Sequence, residues 1–269
     1  MQAGEVVKRT PLNGARLLAL AALLLLCCAP RGRAEPVQKG NLRVFFAGKI
    51  SPTRLPRQGR APIAVTVGGR IATVDGAPPP QLKTIEIAIN RVGRLDPKGL
   101  PSCTYADIQP STTAGAQAAC GPAVVGEGSF AANVVIPEQS PFPSQGKIVA
   151  FNGVDRGKPV ILAHVYGTVP VPLSYTLILR MGRGRGTWGT VLSASLPAVT
   201  SDVAYVTGIS LTLDRRFRAG GRTHGYVSAG CPAPKGFPSA IFPLARASFG
   251  FGSAGTLSST LTRSCKAKN

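Results

Sequence analysis

Two histidines and a small set of carboxylates are the groups with which this chain could run acid–base or hydrolytic chemistry. His164 lies in Val160-Ile161-Leu162-Ala163-His164-Val165-Tyr166, apolar on both sides, and reads as a core histidine bonded to backbone. His224 falls in a loop-like stretch, Arg222-Thr223-His224-Gly225-Tyr226. The pair lacks the H-x-x-x-H spacing of a zinc hydrolase. No G-x-S-x-G occurs, and its nearest approach, Gly208-Ile209-Ser210, runs on into an alternating strand rather than a nucleophile elbow. Asp75, Asp96 and Asp155 sit beside Gly or Pro, where Asx side chains bond turn backbone. Glu86 and Glu127 could be paired across a glycosidase cleft, but nothing in the sequence singles them out. Triads assemble from distant residues, so a secreted hydrolase stays open as the alternative reading. No catalytic residue, metal ligand or small-molecule cofactor is assigned, and the balance points away from an enzyme.

The richer signal is arginine. Arg54, Arg57 and Arg60 share one loop, Arg180, Arg183 and Arg185 a second, and Arg215, Arg216, Arg218 and Arg222 a third. The second contains Gly182, Gly184 and Gly186 and looks at first like a phosphate loop. It lacks the Lys-Ser/Thr of a P-loop, and Thr190-Val191-Leu192 after it reads as strand, not as a helix N-terminus. An exposed hairpin tip is the simpler reading. Arginine's planar fork binds phosphate and carboxylate bidentately, so the second and third loops are candidate anion-binding sites. If they share one end of the fold they form a strongly positive rim. Phe217 is the only aromatic among them, which leaves a stacking platform for single-stranded nucleic acid unsupported. Anionic envelope polymers and lipid headgroups are the partners that remain; a solvated basic surface with no ligand is the rival.

Positioning these loops requires a fold, and composition indicates its class. The 269 residues include 32 Gly and 24 Pro with only 16% charged residues, the make-up of short strands and turns. The first 34 residues read as a signal peptide: Lys8, Arg9 and Arg16, an apolar run Leu17 to Cys28, then Gly32-Arg33-Ala34 before Glu35. The apolar run is too short for an ordinary transmembrane helix. An uncleaved anchor and a lipidated Cys27 or Cys28 are the rivals. The segment carries five basic residues and Glu5, so 26 basic and ten acidic residues, +16 of the full +20, belong to the rest. Four cysteines remain, and an even number in an exported chain reads as disulfides. Sequence proximity favours Cys103–Cys120 and Cys231–Cys265.

β-rich composition marks a first strand at Leu42 to Ala47, and period-two alternation marks Ile63 to Val67 and Ile85 to Ile89, with further candidates through Thr256 to Leu261. Val160 to Tyr166 is joined to Ile148 to Phe151 by a turn around Asp155-Arg156-Gly157. Ser111-Thr112-Thr113, an alanine-rich run and Gly121-Pro122 predict one short helix over 113–120. Around twelve short strands predict an all-β, mainly antiparallel β-sandwich over 35–269. A division into two sandwich units near residue 170 is the alternative.

Three stretches carry a resemblance: Ala150-Phe151-Asn152-Gly153, Leu162 to Thr168, and the tail from Cys231 to Cys265. Through them the chain resembles uncharacterised exported β-rich proteins of high-GC actinobacteria. The resemblance implies export and a Cys231–Cys265 pair, and no activity. The expectation is a secreted or envelope-associated non-enzymatic protein.

Overall fold

The structure is a computed structural model that describes residues 34–109, 111–169, 172–196 and 204–268. The expected signal peptide, apart from Ala34, lies outside the described residues. Strands dominate, as the Gly, Pro and β-branched content requires. Thirteen of them form one sheet in the order β1-β2-β5-β13-β8-β9-β10-β11-β12-β6-β17-β18-β3. Their ranges are β1 Glu35–Lys39, β2 Leu42–Ser51, β3 Arg54–Pro56, β5 Ala64–Thr73, β6 Thr84–Asn90, β8 Val124–Val134 and β9 Phe142–Asp155. The others are β10 Lys158–Gly167, β11 Leu173–Arg183, β12 Trp188–Ser195, β13 Ala204–Leu213, β17 Ser239–Gly250 and β18 Thr256–Lys268. Every pairing within this sheet is antiparallel except that of β18 with the short β3. β10 and β11, on either side of residue 170, are direct neighbours from Val160↔Arg180 to Gly167↔Leu173.

The sheet curls until its ends meet. Arg263 on β18 donates from Nε to the Gly48 carbonyl on β2 (2.8 Å) and pairs with Glu35 on β1 at 3.4 Å. Ser259 Oγ donates to the Glu35 carbonyl. A Cβ on Gly48 would collide with Leu261, so glycine allows β2 and β18 this close approach. Inward side chains of β2, β5, β6, β9, β11, β17 and β18 then share one core, with Val44, Leu261 and Ala247 fully buried.

β9 and β10 are apolar on both faces for a local reason. Their outer residues Val149, Phe151, Val160 and Leu162 form a second core with Cys103, Ile108, Ala116 and Cys120. A helical excursion supplies those partners: α1 (Tyr105–Ile108) and α2 (Thr113–Cys120). α2 is the helix that the sequence predicts. Thr112 caps it by accepting from the Gly115 N–H at 3.1 Å, and Gly121-Pro122 stops the α-helix by passing into a 3-10 turn. Asp107 accepts from both the N–H and the hydroxyl of Thr104, closing the first turn of α1. These hydrogen bonds also hold its carboxyl below the usual carboxylate range.

Both expected disulfides are present. Cys103–Cys120 ties the excursion at its base (Cα–Cα 6.2 Å), and Cys231–Cys265 fixes the segment before β17 to the end of β18 (5.7 Å). Replacing Cys103 and Cys120 together by Ser should cost about 3 kcal/mol, the chain-entropy value for a loop of this size. Hydrogen exchange should quicken over α2 and the outer face of β9, while β17 and β18 keep their protection. An unchanged melting temperature and exchange pattern would contradict this role for the bridge.

Candidate functional site

An antiparallel sheet sends successive connections to opposite ends, and here the two ends differ in chemistry. The connections after β2, β6, β9, β11 and β13 lie at one end. They carry the first and third arginine clusters and Arg185 of the second, whose Arg180 and Arg183 lie on β11 itself, together with Arg91, Arg94 and Arg156. The connections after β5, β8 and β10 lie at the other end and contain no arginine; they are rich in proline, as in Pro78-Pro79-Pro80. The second and third loops therefore share an end, joined there by the first.

A small sheet stitches this basic end together. It has the order β4-β16-β7, from β4 (Ala61–Pro62), β16 (Val227–Ala229) and β7 (Gly93–Leu95). Each strand comes from a different basic connection. The Arg60 guanidinium donates to the carbonyls of Val92 (3.2 Å) and Arg91 (3.1 Å). The Arg91 N–H in turn donates to the Thr187 carbonyl in the β11–β12 hairpin. Arg57 donates to the carbonyls of Ala233, Pro234 and Phe237. The first arginine loop thus spends Arg57 and Arg60 on backbone carbonyls, as structural ties.

The third cluster is a hairpin rather than a loop. β14 (Arg216–Ala219) pairs with β15 (Arg222–Gly225) across Gly220 and Gly221, both at positive φ (56° and 73°). Two consecutive positive φ values make the primed turn that suits strand twist. The register puts Arg216 and Arg218 on one face, while Phe217 stacks on His224 (5.6 Å between ring centroids) on the other. Phe217 also packs against Gly99, which seats the hairpin on the turn after β7.

All seven arginines of the second and third clusters are exposed. Arg180 pairs with Asp155 across β10 at 3.1 Å. Arg183, Arg185, Arg215, Arg216, Arg218 and Arg222 make no ion pair among the described residues. Unneutralised guanidiniums on connected segments raise the local potential and attract anions. Arginine content signalled this clustering, but the shared end needed the strand order.

The residues of the hydrolytic alternative are not brought together. His164 is wholly buried beneath the excursion, and neither ring nitrogen has a hydrogen-bond partner; the expected backbone bond is not formed. His224 Nε2 meets the Ala219 carbonyl at 3.2 Å. Neither histidine is bonded to a hydroxyl or carboxylate among the described residues. Glu127 pairs with Lys147 at 3.0 Å and accepts from Gln117, both outside the core. Cys103, Asp107 and Cys120 cluster, but the cysteines are consumed by their disulfide. Comparison with protein-family models, curated proteins and solved structures finds no match.

Burial holds the His164 imidazole below its ordinary value of 6.5. The unfolded chain then binds a proton that the folded chain refuses, so stability should fall as pH drops below about 6.5. The melting temperature should decline between pH 7 and pH 5, and His164→Leu should flatten that decline. An identical acid limb in the variant would place the proton uptake elsewhere.

Proposed function

We propose that this is an exported, non-enzymatic envelope or extracellular protein that binds phosphate-bearing anionic surfaces through its basic end. The observation that carries the reading is the common end of the arginine connections, with six exposed guanidiniums that have no carboxylate partner among the described residues. Export rests on the basic, apolar and small-residue order of residues 1–34, and the two disulfides are compatible with an oxidising compartment. The curled sheet is read here as a flattened sandwich, in which β5 and β13 face β6 and β11. That layering is supported by Val67, Ile209, Ile87 and Leu179, which line one cavity from both groups.

The binding is electrostatic, so it should be steep in salt. Each arginine close to an anionic membrane contributes about 1 kcal/mol, roughly fivefold in affinity. Arg216→Ala with Arg218→Ala should therefore weaken association with phosphatidylglycerol vesicles by roughly 25-fold at low salt. Arg57→Ala, which removes a structural tie, should act on stability instead. Soluble polyphosphate competing for the same arginines would assign the site to polymeric phosphate; competition by lipid headgroups alone would assign it to membrane. Salt-insensitive retention, or retention unaffected by the double substitution, would overturn the proposal.

A further inference from the structure

Strand β17 runs past its neighbour at the basic end. β6 partners it only from Ala245 to Gly250, whereas β18 partners it from Ser239 onward. The start of β17, from Ser239 to Leu244, therefore projects beyond the β6 ladder together with the end of β18 and the short β3. The projection is firmly built. Phe242 and Leu55 are buried on its inner side, and the Cys231–Cys265 bridge lies within it. The turn that leads into it is pinned as well. The Phe237 N–H donates to the Pro234 carbonyl across Gly236, which has a φ of 89°. The Arg57 guanidinium donates to the carbonyls at both ends of that turn, Pro234 and Phe237.

This rigid frame displays two large apolar side chains. Ile241 is 79% exposed and Phe237 62%, more than any other large apolar residue described. A single apolar residue on a surface needs no explanation, but these two stand four residues apart, within about 14 Å at full extension. Their surroundings are cationic. On the outer face Ser239, Lys266 and Arg54 form one row across β17, β18 and β3, and Ile241 stands in the next row, opposite Ser264. Lys235 lies in the Phe237 turn, and Lys268 follows Lys266 on the same strand. These four cations are exposed and make no ion pair among the described residues. Nor do residues 215–269 contain an Asp or a Glu. Cations around an apolar tip fit a bilayer with anionic headgroups, which offers phosphates to the first and acyl chains to the second. A soluble polyanion would leave Phe237 and Ile241 in water.

We propose that the β17–β18 projection is a membrane anchor. Phe237 and Ile241 enter the boundary between headgroups and acyl chains of an anionic bilayer, while Arg54, Lys235, Lys266 and Lys268 hold lipid phosphates around them. Such anchoring rests on the reading of the basic end as a surface for phosphate-bearing anions, and narrows the anion to a phospholipid. In the order β11-β12-β6-β17-β18-β3 the projection stands two strands from β12, so it shares its rim with the second arginine cluster.

The test is co-sedimentation of the purified protein with phosphatidylglycerol vesicles, alongside its binding to soluble polyphosphate. Phe237→Ser with Ile241→Ser should weaken vesicle binding about tenfold, because two apolar side chains no longer enter the lipid. The same pair should leave polyphosphate binding and the melting temperature unchanged. Arg216→Ala with Arg218→Ala should weaken both kinds of binding. Ile241→Trp reads insertion directly, against the background of Trp188, the one native tryptophan. On vesicles its emission should shift to the blue and be quenched by lipids brominated along the acyl chain; polyphosphate should cause neither change. Salt-sensitive vesicle binding that the serine substitutions leave intact, with no blue shift in the tryptophan variant, would overturn the anchor and leave the electrostatic reading standing. An equal loss of polyphosphate binding on serine substitution would also overturn it, by showing a disturbed surface rather than lost insertion. Absence of salt-sensitive binding in the wild-type protein would overturn the anchor and the reading beneath it together.

Discussion

Strand reversal is the constraint from which the rest follows. Because the long strands alternate in direction, each connection is assigned to an end by its place in the chain, and a whole class of side chains is delivered together. Arg57, Arg185 and Arg218 are far apart in sequence and share an end only through the ladder registers that run from β2 through β13 to β11. The sheet could not hold this arrangement open. Its curl is closed at the seam by the guanidinium of Arg263, which reaches both the Glu35 carboxylate and the Gly48 carbonyl. A charged side chain is useful there because it bridges strands whose backbones do not form a ladder.

The same closure explains the apparent excess of apolar residues on β9 and β10. A curled sheet with one buried face needs alternation, and β2 shows it from Leu42 to Phe46. β9 and β10 break that rule because the excursion between β7 and β8 folds back over them, and the Cys103–Cys120 bridge holds it there. His164 is a consequence of the second layer. Its place on the outer face of β10 would be solvated in a bare sheet; the cover removes it from water, which holds its pKa below the ordinary imidazole value.

Much of this was legible along the chain. The Thr112 cap, the alanine run and Gly121-Pro122 marked α2, because capping and stop signals are local chemistry. The Asp155-Arg156-Gly157 turn marked the β9–β10 hairpin for the same reason, with Arg156 and Gly157 both at positive φ. Proximity of the cysteines marked both bridges. The short strands β3, β4 and β7 were not legible, since two or three residues carry no readable period. The β14–β15 hairpin offered a signal that was passed over: Arg-Phe-Arg before Gly220-Gly221 alternates as a strand does, but its charge made it look like a solvated loop. The order β5-β13 and β12-β6 lay beyond local reading altogether, because it depends on which strands meet after the chain crosses an end.

That order also separates the two chemistries of the molecule. The long connections run across the basic end, and three of them close it by contributing one strand each to the β4-β16-β7 cap. Charge is thereby carried on exposed segments at the end of the strands, away from the interior. The inward positions of β5, β6, β11 and β13 are mainly apolar, and the Asn90 amide among them is bonded to the Pro243 carbonyl and the Val92 N–H. A charged rim and an apolar interior are thus products of one topology. The cap that gathers the arginines also covers the apolar interior beneath them.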